Sequence, residues 1–243
     1  MNYKQIVLLG DSITEYSSLH PSGLHLYLSK AYVRRLDVVN RGYDGYNTKM
    51  LKLALPNIFS SLGSAQQAGF VLFMGTNDAV IPGQLLHVPI DEFRDNMQYI
   101  IDQLLKRSKR IVLLTPAIFD KNRFQNRDKD LMAQYVNAVE KLAEKNKLPL
   151  VNLQKLFGSN LNLLSDGLHF TDEGYKRFAP QVLEAFKNLH LDPEDMPMKL
   201  PDFNDLKGKT DEEIDQLISE YIETYDGIDT LDRIDHHILR DAI

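Results

Sequence analysis

The sequence contains no cysteine among its 243 residues, which excludes a disulfide framework, a thiol nucleophile and a thiolate metal site. No segment approaches the roughly 18 apolar residues that a membrane span needs, so we expect no membrane insertion. The N-terminus also lacks a secretory pattern, because its apolar run, residues 6–9, is short and Asp11 follows soon after it. These absences predict a soluble, cytoplasmic protein.

A strongly basic surface is absent as well. Residues 201–243 contain 13 acidic and 4 basic side chains, a net charge of -9, whereas residues 1–200 contain 24 basic and 21 acidic ones, a net charge of +3. The acidity of the chain therefore belongs to its C-terminal part. Neither part interleaves basic with aromatic residues in a stripe, so we expect no nucleic-acid partner.

The apolar pattern predicts the fold class. Short apolar runs alternate with segments of helical spacing, and an apolar content of 43% suffices for a sizeable core. The predicted strands are residues 6–9, 38–39, 70–74, 111–114 and 148–151. Strands that alternate with helices form parallel sheets through right-handed crossovers. We therefore predict an α/β protein, a three-layer α/β/α (flavodoxin-like) domain of residues 1–200 with a five-stranded parallel sheet.

Local signals place several element boundaries. A helix is predicted over residues 48–58, with its last turn weakened by Pro56. The helix that carries Phe93 has Asp91 as its predicted cap, and Thr171 is the predicted cap of the last helix of the domain.

Residues 201–243 are predicted to form an acidic, amphipathic helical extension, in which Thr210 and Glu213 match a capping box after a connector. Its apolar stripe consists of Ile214, Leu217, Ile218, Tyr221, Ile222 and Tyr225, and a shorter stripe follows at Leu231, Ile234 and Ile238. A lone helix would leave the first stripe in water, so its own domain or another chain must cover it. The acidic opposite face disfavours an anionic membrane as the cover. We predict a homo-oligomer contact, because residues 1–200 already account for a complete five-stranded sheet covered by helices. Such a domain leaves little apolar surface of its own to cover the stripe.

Ser12 is the first candidate for chemistry. It lies in Gly10-Asp11-Ser12-Ile13, directly after the first strand, where open parallel sheets place their ligands. The alternative is a serine that only caps the following helix.

Asp166 and His169 are the second candidates. A serine hydroxyl needs a base to take its proton, and the base needs a third group to fix its tautomer. The three-residue spacing lets the Asp166 carboxylate reach the imidazole nitrogen that faces away from Ser12. Alternatively, Asp166 only closes a turn with Gly167, and His169 merely precedes a helix.

Acyl transfer also requires hydrogen-bond donors for an oxyanion. Gly45, after the second strand, offers a backbone N–H, and Asn77, after the third, offers a side-chain amide. Each is also explained by a turn. However, the loops that carry Ser12, Gly45, Asn77 and His169 all belong to one edge of the predicted sheet, which favours a shared site.

The sequence resembles the SGNH (GDSL-type) hydrolases, most of all the isoamyl acetate-hydrolysing esterases, in four blocks that follow the family's order: Gly10-Asp11-Ser12-Ile13, Gly45 within residues 40–47, Gly75-Thr76-Asn77-Asp78 and Asp166-x-x-His169. The resemblance covers residues 1 to about 200 and gives the extension no role. It implies Ser12 as the nucleophile, His169 as the base and Asp166 as its orienting partner.

The resemblance also implies an oxyanion hole made by the backbone N–H groups of Ser12 and Gly45 and the amide of Asn77. Of the two glycines in the second block, Gly45 matches the family position better than Gly42, and Asp11 would hold the turn. The family requires no metal or cofactor, so we expect none here.

The site residues predict a serine carboxylic-ester hydrolase that acts through an acyl-enzyme, and the resemblance implies short-chain, acetate-type esters of medium-length alcohols as its substrates. A small-molecule ester is thus the expected partner. The alternative on the same site is a lysophospholipase or thioesterase. The alternative of another class is a non-catalytic interaction protein that uses its C-terminal helices.

Overall fold

The computed structural model of the protein describes residues 3–227. Its sheet has five parallel strands in the order β2-β1-β3-β4-β5. The strands are β1 (Gln5–Gly10), β2 (Asp37–Gly42), β3 (Gln67–Phe73), β4 (Ile111–Leu114) and β5 (Leu150–Val151). The predicted three-layer, five-stranded architecture is confirmed.

Helices cover both faces of this sheet. In chain order they are α1 (Ser12–Tyr16), α2 (Leu24–Ala31), α3 (Thr48–Ser61), α4 (Ile90–Leu105), α5 (Lys129–Asn146), α6 (Leu153–Phe157), α7 (Asp172–Asn188), α8 (Phe203–Leu206) and α9 (Asp211–Gly227), with 3₁₀ turns at Leu161–Leu163 and Pro193–Asp195. Within residues 3–227, none of these helices combines the length and the apolar character needed to cross a membrane.

Alternate residues of β1 enter two separate cores. Ile6 and Leu8 pack with α2, α6 and α7, whereas Val7 and Leu9 pack with α3, α4 and α5. All four side chains are fully buried, and each such burial stabilises the fold by about 1.5–3 kcal/mol relative to exposure. This two-sided burial is why the strands read as continuous apolar runs.

Several boundaries differ from those predicted. β3 begins at Gln67 rather than at residue 70, and β5 contains only Leu150–Val151 of the predicted residues 148–151, because only these two pair with β4. β2 extends to Gly42 because its residues pair in register with β1 up to Gly10. α3 continues through Pro56, which lies on the exposed face, while buried Ile58 anchors the last turns. α4 begins at Ile90, so Asp91 lies in its first turn rather than at its cap, where a carboxylate still favours the helix dipole.

The predicted capping box of the extension is confirmed. The Glu213 N–H donates to Thr210 Oγ1 at 3.3 Å, and the Thr210 N–H donates to Glu213 Oε2 at 2.8 Å. The predicted connector, residues 200–208, is not irregular throughout. It contains the short helix α8, in which two backbone N–H groups donate to the Asp202 carboxylate. The second predicted stripe, from Leu231 to Ile238, lies outside the described residues.

The end of α9 is fastened to its own domain. Tyr225 is only 4% exposed, and its hydroxyl donates to the Arg35 carbonyl at 2.6 Å. The buried Lys199 ammonium lies 4.4 Å from the Tyr225 ring and 5.1 Å from the Tyr3 ring, a cation–π arrangement that stabilises the contact. The other members of the stripe are half-buried. The domain therefore covers one end of the stripe fully and the rest in part.

Contact between copies of the chain through the extension stays a prediction. Deletion of residues 207–243 is expected to lower the oligomeric state measured by light scattering, because it removes the apolar surface that a second copy would bury. Circular dichroism of the truncated protein checks that the domain is intact. A monomeric full-length protein, or unchanged stoichiometry after the deletion, would contradict the prediction.

Candidate active site

The site lies at the carboxyl edge of the sheet, beyond the end of β1. The chain moves from β1 to β2 on one side and then to β3 on the other, which makes this the topological switch point where open α/β sheets bind ligands. Ser12, Gly45 and Asn77 follow β1, β2 and β3 respectively. His169 comes from the loop before α7.

A tight turn holds Ser12. Asp11 is the N-cap of α1, and its Oδ1 accepts the Ile13 N–H at 3.0 Å, so Ser12 is the first helical residue rather than the cap. A Cβ on Gly10 would lie 2.0 Å from Thr14 Oγ1, so only glycine fits there. From α7, the Tyr175 hydroxyl donates to the Ile13 carbonyl at 2.6 Å. The serine is therefore held from both sides.

Ser12, His169 and Asp166 form one continuous chain of hydrogen bonds. His169 Nε2 is 2.9 Å from Ser12 Oγ, and His169 Nδ1 is 2.7 Å from Asp166 Oδ2. The other carboxylate oxygen, Asp166 Oδ1, accepts the backbone N–H groups of His169 at 2.8 Å and Leu168 at 2.9 Å. The structure thus brings together the three residues predicted for the triad.

The charge of Asp166 fixes the histidine tautomer. Burial raises the pKa of Asp166, but the hydrogen bonds from the His169 ring and from two backbone N–H groups outweigh it and hold this pKa below its usual range. An ionised carboxylate only accepts, so Nδ1 carries the proton of the neutral ring. Nε2 is then the acceptor that faces the Ser12 hydroxyl, as a general base requires.

The loop after β2 is tied to the turn that carries Ser12. The Tyr43 N–H donates to the Gly10 carbonyl at 3.0 Å, and the Asp44 N–H donates to Glu15 Oε2 at 2.6 Å. Gly45 follows with φ +71°, and a Cβ there would meet open space. Its left-handed conformation, rather than crowding, is what requires glycine.

Gly42 differs from Gly45 in its surroundings. A Cβ on Gly42 would lie 2.1 Å from the Glu15 nitrogen, and its N–H donates to Asn40 Oδ1 at 2.8 Å. Gly42 therefore serves close packing between β2 and α1. Asn77 is 6% exposed, and its Nδ2 donates to the Tyr46 carbonyl at 2.9 Å, which places the amide beside the Gly45 loop.

Comparison with known proteins decides the family. Residues 8–177 match the model of the GDSL-like lipase/acylhydrolase family. The chain belongs to this family. It is accordingly a carboxylesterase-type hydrolase, and the resemblance predicted from its four sequence blocks is confirmed.

Relatives of this family match nearly their whole length. A GDSL esterase/lipase of Arabidopsis thaliana is 35% identical over 84% of this chain and 94% of its own. The isoamyl acetate-hydrolyzing esterase of Saccharomyces cerevisiae is 30% identical over 85% of this chain and 96% of its own. The crystal structure of a lipase/acylhydrolase from Enterococcus faecalis shares the fold, with a TM-score of 0.63 and 23% identity over 76% of this chain and 96% of that one.

Sequence reasoning did not predict the burial of three charged side chains near the GDSL serine, those of Asp11, Asp78 and Arg127. Burial raises the pKa of Asp11 to about 7 and that of Asp78 to about 6, and it lowers the pKa of Arg127 to about 10. Asp78 Oδ1 accepts the backbone N–H of Thr48 at 2.9 Å and its hydroxyl at 2.5 Å. The sequence carries no signal for Arg127, which stands in an ordinary polar stretch. Among the described residues, no group of three or more potential ligands is placed to hold a metal ion.

Proposed function

We propose that this enzyme hydrolyses short-chain carboxylic esters, acetate esters of medium-length alcohols first among them, through an acyl-enzyme on Ser12. The observation that carries the proposal is the hydrogen-bonded chain from Ser12 Oγ through His169 to Asp166. The name of the yeast relative, an isoamyl acetate-hydrolyzing esterase, supports the choice of acetate esters.

The first half of the reaction forms the acyl-enzyme. Ser12 Oγ bonds to the ester carbonyl carbon while His169 Nε2 takes the hydroxyl proton. The N–H groups of Ser12 and Gly45 and the Asn77 amide hold the oxyanion, and preorganised donors of this kind are often the largest single contribution to catalysis. The bond to the alcohol oxygen then breaks, and His169 returns the proton to that oxygen.

The second half releases the acid. A water molecule gives its proton to His169 Nε2 as its oxygen attacks the acyl carbon. The new oxyanion collapses, the bond to Ser12 Oγ breaks, and His169 protonates the serine. Asp166 holds the imidazole in place and stabilises its protonated form in both halves.

A series of nitrophenyl esters from acetate to laurate, together with isoamyl acetate and a matched thioester, tests the substrate. We expect kcat/KM to be highest for acetate and to depend on Ser12. Preference for long chains or for the thioester would favour the lysophospholipase or thioesterase alternative.

A fluorophosphonate probe followed by mass spectrometry tests whether the chain is an enzyme at all. We expect one covalent adduct on Ser12, and none in Ser12→Ala. Absence of labelling in the folded protein would favour the interaction protein. The cytoplasmic location stays a prediction, which fractionation of cells would check.

The pH profile is expected to fall on the acid side of neutrality, because only a neutral imidazole can act as the general base. Asp166, with its lowered pKa, stays ionised throughout this range. Asp166→Asn removes the negative charge that favours the imidazolium, so the acid limb should move to lower pH while kcat falls. The profile of kcat/KM measures both changes.

Asp11→Asn is the control for this profile, because Asp11 has a pKa of about 7 and titrates in the same range. The acid limb should persist in this variant. An acid limb that does not move in Asp166→Asn would remove Asp166 from its proposed role, and a limb that disappears in Asp11→Asn would assign the ionisation to Asp11.

A further inference from the structure

Arg127 is a buried cation immediately behind the candidate oxyanion hole. It lies between β4 and α5 and is 3% exposed. Its backbone is fastened to the chain after β3, through an antiparallel bridge with Val80 and the Ile81 N–H bond to the Asn126 carbonyl at 2.9 Å. The segment that carries Arg127 is thus docked on the segment that carries Asn77.

The guanidinium reaches two acceptors in the Gly75-Thr76-Asn77-Asp78 turn. Nη1 donates to the Thr76 carbonyl, and Nη2 donates to Asn77 Oδ1 at 3.4 Å. The Phe124 ring lies 5.8 Å from the guanidinium carbon. Asp11 attracts the same cation from the β1–α1 turn, so the charge is held on the side of the carboxylate and the two acceptors.

These contacts decide which way the Asn77 amide points. The oxygen and nitrogen ends of an amide are alike in shape, so its hydrogen-bond partners select the orientation. Arg127 can only donate and therefore selects Oδ1. The Tyr46 carbonyl can only accept and therefore selects Nδ2, at 2.9 Å. A flipped amide would set donor against donor and acceptor against acceptor.

The selected orientation leaves one N–H of Asn77 Nδ2 for a ligand. The Tyr46 carbonyl takes one of the two amide hydrogens, and the second is the donor that an oxyanion needs. Arginine suits this position better than lysine, because its planar fork can donate to two acceptors at once while keeping its charge. The Thr76 and Asn77 acceptors receive two different nitrogens of that fork.

We infer that Arg127 is a positioning residue that holds the Asn77 amide with its N–H toward the oxyanion. The inference rests on the proposed function, since it assumes that Asn77 stabilises the oxyanion. Arg127 does not touch the substrate. It acts through Asn77 and Thr76, so its loss should affect the transition state rather than substrate binding.

Steady-state kinetics with nitrophenyl acetate test the inference on Arg127→Met and Arg127→Lys. We expect Arg127→Met to lower kcat by roughly 10-fold to 100-fold with KM nearly unchanged, a part of the loss expected when an oxyanion donor is removed. Arg127→Lys should lower kcat less than Arg127→Met does. It keeps the positive charge beside Asp11, although it loses the pair of guanidinium nitrogens that donate to Thr76 and Asn77. Circular dichroism and thermal melting confirm that each variant is folded.

The decisive comparison repeats Arg127→Met in the Asn77→Ala background. If Arg127 acts through Asn77, Arg127→Met should lower kcat by less than about threefold in the Asn77→Ala background. The reason is that the effects of substitutions within one hydrogen-bond network are not additive. Arg107→Met is the matched control. Arg107 also contacts a ring, Phe59 at 3.9 Å, and an amide, Gln67 Oε1 at 3.1 Å, but at the amino edge of the sheet, so its kcat should be that of the wild type.

Three results would overturn the inference: a folded Arg127→Met with wild-type kcat, a raised KM with kcat intact, or an equal loss in the presence and absence of Asn77. If Arg127→Met does not fold, Arg127→Lys decides by the same criteria. Failure of the proposed function is distinguishable, because wild type and Ser12→Ala would then hydrolyse the ester equally slowly.

Discussion

Replacement of Ser12 or His169 by alanine is expected to lower kcat by roughly six orders of magnitude, the loss seen when a member of a serine–histidine pair is removed. The reason is that the two residues act in one step. His169 Nε2, 2.9 Å from Ser12 Oγ, takes the proton of that hydroxyl, and the hydroxyl is a weak nucleophile without this base. The Ser12→Ala, His169→Ala double variant should therefore be little worse than either single variant. Turnover of nitrophenyl acetate measures all three.

Two exposed residues offer controls for these variants. Ser60→Ala changes a hydroxyl near the end of α3, and His190→Asn changes an imidazole just after the end of α7. In each case a helix separates the residue from the site loop that precedes it. Both variants should keep wild-type turnover. Losses that add up in the double variant would show that Ser12 and His169 do not share a step. Residual activity that is the same in wild type and Ser12→Ala would exclude the serine as nucleophile.

Asn77→Ala is expected to lower kcat by about 100-fold to 1000-fold with little change in KM, the usual loss for one oxyanion donor. The amide interacts with the negative charge that develops on the carbonyl oxygen, and this charge is absent from the bound ester. The Tyr46 carbonyl would lose its donor at 2.9 Å, so a thermal melt should accompany the kinetics to separate a loss of stability from a loss of catalysis.

Asn146→Ala is a suitable control for the asparagine. Its side chain donates to Gln98 Oε1 at 3.1 Å and to the Leu142 carbonyl at 2.8 Å, on the outer helices, so kcat should stay unchanged. If Asn77→Ala raises KM and leaves kcat intact, the amide binds the ester in its ground state. The oxyanion hole would then need another donor, and the inference about Arg127 would be wrong.

Much of the fold could be predicted because its signals are local. Apolar runs mark β1, β3 and β4, since both faces of each strand are buried and no alternation is needed. The caps at Thr171 and Thr210 follow from side chains that bond to N–H groups three residues away. The end of β2 could not be predicted in this way, because its pairing with β1, a distant segment, extends it to Gly42.

The hydrogen-bonded chain of Ser12, His169 and Asp166 could be predicted for a different reason. Asp166 and His169 are three residues apart, so their contact is local, and the link to Ser12 follows once both loops belong to one edge of a parallel sheet. The same reasoning fails for Arg127. Arg127 becomes a buried donor only when the segment before α5 packs on the chain after β3. The residues next to Arg127 in the sequence do not predict that packing.

The parallel α/β architecture and the contact between Asp166 and His169 follow from the residues alone, because periodicity, turn residues and short-range spacing are properties of adjacent residues. The partners of Arg127 and the contact between Tyr225 and Lys199 do not follow from the residues alone. Those contacts join residues far apart in the chain, and their free energy arises from burial and charge pairing that exist only after the layers have packed.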